Sequence, residues 1–129
     1  LPRRVIDVGL NGSHHPRLIE TNRDTPVADY IALSHCWGGP QNRPLITTRD
    51  TLAKRCERIE LATMPLTFRH SILVARHLRI PYLWIDSLCV LQDSPEDWEV
   101  ESAEMASIYQ GAALTISASH GADSSAGCF

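Results

Sequence analysis

The 129-residue chain is short of several things that would have narrowed its chemistry at once. Its four cysteines, Cys36, Cys56, Cys89 and Cys128, never stand in a CxxC spacing, which argues against a zinc ribbon or a thioredoxin-like redox pair. Scattered as they are, they outline no extracellular disulfide framework and read as reduced thiols in a cytoplasmic protein. No apolar run approaches the roughly 18 residues a membrane span requires, and no secretory signal pattern opens the chain. Positive charge is not in excess: 12 Lys and Arg stand against 15 Asp and Glu, for a net charge of -3. Electrostatics therefore gives no reason to expect nucleic acid or an anionic membrane as partner. The cluster Lys54, Arg55 and Arg58 reads as the wet face of a helix. No internal repeat or low-complexity tract interrupts the sequence. The glycine loop at Gly38-Gly39 is too short for a P-loop and lacks its lysine.

What is present is ordinary for one globular domain: 43% hydrophobic and 21% charged residues, enough to bury a core. The chain opens on Leu1 rather than Met and closes on "GADSSAGCF", which reads as a domain excised from a longer protein. "RVIDVG" and "RLIET" are β-prone runs around "LNGSHHP", where Asn11-Gly12 signals a turn, so a short N-terminal β-hairpin is expected. "YIALSHCWGG" (30 to 39) is a strand that stops at glycine and Pro40. "TTRDTLAKRCERI" (47 to 59) has Leu52, Cys56 and Ile59 at helical spacing, with Thr48 or Asp50 as the cap. A second helix follows Pro65, with Phe68, Ile72 and Ala75 on one stripe, and stops before Pro81.

"YLWIDSLCVL" (82 to 91) is apolar at odd and even positions alike, as in a parallel strand buried on both faces. Ser94-Pro95-Glu96-Asp97 is a helix start: a hydroxyl cap, proline in the first turn, then acids at the positive end of the dipole. That helix should run to about Gln110 and end at Gly111, and "ALTISAS" (113 to 119) is a last strand. Strands alternating with helices predict an α/β domain in three layers, a mostly parallel sheet flanked by helices.

The helix after Ser94 carries the clearest candidate for chemistry. On a helical wheel Trp98, Met105, Ile108, Tyr109 and Ala112 share one arc of about 100°, and Glu101 lies inside it. Glu96, Asp97, Glu99 and Glu104 fall outside. A carboxylate on a buried stripe is costly unless it is paired or used. It is therefore either a structural group held by backbone amides or by an arginine such as Arg69 or Arg76, or a catalytic group whose proton affinity burial has raised.

Ligands of open α/β sheets collect beyond the carboxyl ends of strands. Two strands end here in polar residues: one at Ser34, His35, Cys36, Trp37 and Gly38, the other at Asp86, Ser87, Cys89 and Gln92. Each has a plain alternative. Trp37 and Trp84 serve equally as anchors of loop and core, Asp86 as a cap and Cys89 as a small buried hydrophobe. His35 and Cys36 point to opposite faces of a strand, so no metal site is expected.

Three blocks, "YIALSHCWGG", "MPLTFRHSILVARHLRIPYLWIDSLCVLQD" and "EDWEVESAEMASIYQGAALTISAS", occur in the order of the fungal HET (heterokaryon incompatibility) domain, which this chain resembles. The likeness covers residues 30 to 119; residues 1 to 29 resemble the lead-in to that domain, so 1 to 129 is read as one HET domain. His70 stands where the family's "TFRDAI" has aspartate, which puts one helix contact in doubt. The resemblance implies a cytoplasmic module of non-self recognition and programmed cell death, set beside sensor or repeat domains. It also implies a remote likeness to the TIR domain, with its flavodoxin-like fold. Many TIR domains cleave NAD with one glutamate on a helix beside the sheet.

By that likeness Glu101 is the catalytic residue, and Ser34, Trp37, Gly38, Asp86 and Gln92 hold NAD. NAD is then a substrate and no cofactor is required. TIR-type sites are often completed by self-association, so a homo-oligomer is implied. The competing readings are a non-catalytic module that signals by homotypic assembly, and a hydrolase built on Cys89 with His35.

Overall fold

The computed structural model describes residues 1–34 and 45–117. Five strands form one sheet: β1 (Arg4–Asp7), β2 (Arg17–Glu20), β3 (Tyr30–Ser34), β4 (Tyr82–Ile85) and β5 (Leu114–Ser117). Four helices accompany them: α1 (Leu52–Glu57), α2 (Leu66–His77), α3 (Asp86–Cys89) and α4 (Pro95–Gly111). The α/β class is as expected. No helix of the described residues is long and apolar enough to cross a membrane.

The sheet order is β2-β1-β4-β3-β5. β4, β3 and β5 run parallel, with Ala32 opposite both Trp84 and Thr115. β1 is antiparallel both to β2 and to β4, where Ile6 faces Leu83. The expectation of a mostly parallel sheet is therefore corrected: the sheet is mixed. The N-terminal hairpin is present, and its first strand pairs with β4, covering what would otherwise be an open edge.

Residues 8 to 16 join the hairpin through a tight 3-10 turn at Leu10–Gly12, with Asn11 left-handed at φ 61°. Gly9, at φ 70°, is required there: a Cβ would sit 2.1 Å from the carbonyl oxygen of His14.

All four residues of β4 are buried, as are Tyr30 to Leu33 of β3, so the centre of the sheet is covered on both faces. α2 contributes Phe68, Ile72 and Ala75 to this core, as its periodicity predicts. Trp84 and Phe68 are among its largest fully buried side chains, each contributing about 2–3 kcal/mol by removal from water.

The strand expected over 82 to 91 ends at Ile85. Asp86 to Cys89 instead form one helical turn, with the Val90 amide donating to the Asp86 carbonyl at 3.1 Å. Ser87, Leu88 and Cys89 are buried within that turn, and a continuous apolar run does not separate a buried strand from a buried helix. α1 is likewise shorter than the 47 to 59 expected. Thr47 lies opposite Leu91 in an isolated parallel bridge, and neither Thr48 nor Asp50 caps the helix, whose N-cap is Thr51.

Candidate functional site

α4 is set as its sequence prescribes. Ser94 is the N-cap and its hydroxyl accepts the Asp97 amide at 3.2 Å, with Pro95 in the first turn. The buried residues of the helix are Asp97, Glu101 and Ile108. Glu101 therefore points inward, as the wheel predicts. Trp98 does not; it is 42% exposed, and Asp97, which the wheel leaves outside, is buried in its place.

Asp97 is turned in by Arg4. The Arg4 Nη1 donates to both carboxylate oxygens, at 3.0 and 2.9 Å, and to the Cys89 carbonyl at 3.3 Å. The Leu91 amide donates to the same carboxylate at 2.8 Å. Both partners of this ion pair are buried. It welds the start of β1 to the first turn of α4 and to the end of α3.

One turn along, Glu101 is 1% exposed. Its Oε1 has no hydrogen-bond partner, although the Arg3 Nη1 lies 3.5 Å away. The same Arg3 nitrogen is 3.6 Å from Asp97, and its side chain is 55% exposed. The arginine is thus neither Arg69 nor Arg76 but one from the opposite end of the sequence. Burial raises the proton affinity of the Glu101 carboxyl above that of an ordinary glutamate. Arg3 opposes the rise, Asp97 adds to it, and Arg4 and Glu104 contribute smaller effects of opposite sign.

Glu101 borders a cavity of about 460 Å³ between α4 and the start of the chain, with Pro2, Arg3, Tyr30, Glu104 and Ile108 among its walls. That volume lies within the range of about 300–1,000 Å³ typical of small-molecule sites. The Tyr30 hydroxyl donates to the Ile108 carbonyl and so fixes one end of α4 over the sheet.

The strand tips form a second locality. Burial, with the nearby Asp86 charge, raises the Tyr109 proton affinity, and the Ser34 hydroxyl beside it works the other way. The Tyr109 ring meets Trp84 edge-on, with centroids 5.6 Å apart. Trp84 is thus a core anchor. The Gln92 amide nitrogen donates to the Asp86 and Val90 carbonyls at 3.0 and 2.8 Å, so this side chain ties the α3 turn. Trp37 and Gly38 lie outside the described residues, as do His35 and Cys36.

The structure thus brings Ser34 and Asp86 together around Tyr109, but none of Ser34, Asp86 and Gln92 lines the Glu101 cavity. Cys89 is fully buried, and loss of solvation pushes its thiol up to about 12, so it offers no thiolate near neutral pH.

Sequence reasoning missed Arg3, Arg4, Asp97 and Tyr109. One signal was available: two arginines open a run that is otherwise a buried strand, "RRVID", and a cation there needs a carboxylate partner.

Among known proteins, no curated protein and no solved structure matches the chain. The family model of the heterokaryon incompatibility protein (HET) matches residues 30–129. Since that match takes in β3, the α3 turn, α4 and β5, and well over half of the sequence, the chain belongs to the heterokaryon incompatibility family.

Proposed function

We propose that this domain is an effector of heterokaryon incompatibility that hydrolyses NAD, with Glu101 as its catalytic carboxylate. The observation that carries the reading is a nearly inaccessible carboxyl on a cavity wall, one of whose oxygens lacks a hydrogen bond. Such a group is expensive to keep unless its charge is needed.

In the proposed reaction the bond between ribose C1′ and the nicotinamide nitrogen breaks, and the electron pair leaves with nicotinamide. The ribose becomes oxocarbenium-like, as at a glycosidase transition state. The ionised Glu101, in surroundings poor in water, attracts that cation more strongly than solvent would. A water oxygen then bonds to C1′ and gives up its proton, leaving ADP-ribose, nicotinamide and H⁺. Ser34, Asp86 and Gln92, with Trp37 and Gly38, are proposed to hold the rest of the dinucleotide, the indole by stacking and the glycine amides by meeting phosphate. The role in cell death, the cytoplasmic setting and completion of the site by self-association belong to the same proposal.

The test is nicotinamide release by concentrated protein. Glu101→Gln is expected to lower turnover by about 10²-fold or more. A variant as active as the parent removes Glu101 from the mechanism.

A second reading, homotypic assembly without chemistry, is favoured by apolar side chains left in water: Trp98 and Val100 on α4, Leu73 on α2 and Leu78 after it. Concentration-dependent sedimentation with no NAD turnover at any concentration would favour it.

A further inference from the structure

We propose that Arg3, which precedes the residues matched by the family, is a positioning residue of the Glu101 site whose guanidinium keeps that carboxylate charged and turned toward the cavity. The proposal rests on the reading of Glu101 as catalytic and adds to it a contribution from the hairpin.

The groups facing Glu101 are few. β1 and the residue before it supply Arg4 and Arg3, α4 supplies Asp97 and Glu104, and α3 supplies Cys89, whose thiol stays protonated. Tyr30 of β3 lines the cavity, but its hydroxyl proton is given to the Ile108 carbonyl.

Of the two cations, Arg4 is committed: its Nη1 makes two hydrogen bonds to Asp97, and it acts on Glu101 less than Arg3 does. Arg3 lies 3.5 Å from Glu101 Oε1, a buried oxygen without a hydrogen bond. It also lines the cavity itself. Its side chain is half in water, while Glu101 opposite is almost wholly desolvated. An exposed cation beside a buried anion is the arrangement that allows the anion to exist there.

A merely structural Arg3 would pin the start of β1 to α4 without affecting the proton equilibrium of Glu101. The two roles separate in a titration of the glutamate side-chain carboxyls by ¹³C NMR, with the Glu101 signal assigned by its loss in Glu101→Gln. Arg3→Gln is expected to move the Glu101 midpoint to higher pH, and Arg3→Lys, which keeps a cation, to leave it near the parent. An unmoved midpoint in Arg3→Gln overturns the proposal.

The acid limb of NAD turnover, measured alongside, should shift the same way. Arg3→Gln should lose activity several-fold below the limb and little above it. A limb that stays in place while the midpoint moves also overturns the positioning role. A parent that releases no nicotinamide sinks the catalytic reading, and the titration still decides whether Arg3 sets the charge on Glu101.

Discussion

Glu101 has a measurable signature besides activity. Its proton affinity is higher in the folded chain than in the unfolded one, so folding takes up a proton as pH falls. The stability this group contributes is complete below the unfolded glutamate value of about 4.3 and is lost as pH rises through the higher folded value. Glu101→Gln cannot titrate. The stability difference, parent minus variant, should therefore fall as pH rises across that window, then level off. Thermal melts at closely spaced pH values check this; a difference independent of pH would mean that the carboxyl exchanges freely with water.

At this scale the sequence was legible only where periodicity governs. Glu101 could be placed because a helix repeats every 3.6 residues. Asp97 could not, because an ion pair with Arg4, not the stripe, pulls it inward. No local pattern could have named Arg3 as the neighbour of Glu101.

Helix α4 was the most legible element, because its start is written in four consecutive residues. Ser94 caps, Pro95 pre-sets the backbone, and Glu96 and Asp97 meet the dipole. Ser94→Ala should cost about 1 kcal/mol in urea denaturation, with an unchanged slope. A loss below a few tenths would mean that water replaces the hydroxyl without penalty.

The least legible stretch was 86 to 91. There the apolar run suits a strand, but Asp86 and Ser87 favour a helix start, and a single turn results. Gln92 braces that turn through two carbonyls, a tie that its place at a strand tip does not announce.

Across the whole molecule, the buried Arg4–Asp97 pair joins the hairpin to the long helix. Removing one member leaves the other charged and without its closest partner inside the protein. Asp97→Ala is expected to cost about 3–5 kcal/mol, read from the shift in denaturation midpoint. A cost under about 1 kcal/mol would class the pair with solvent-exposed salt bridges.

The fold class followed from the alternation of elements, whereas the strand order did not. β1 is a good strand with a good turn after it, and nothing in its composition says that it pairs antiparallel with a strand far along the chain. That choice is made by what β4 leaves open at its side.

The pairing of Ile6 with Leu83 also dictates when this domain can be finished. A ribosome delivers the hairpin ahead of β3, α1 and α2, and its partner strand only after them. Until then Val5 and Ile6, both fully buried at the end, have only β2 beside them. Closure must wait for a contact distant in sequence, which slows folding and leaves a sticky nascent chain in the interval.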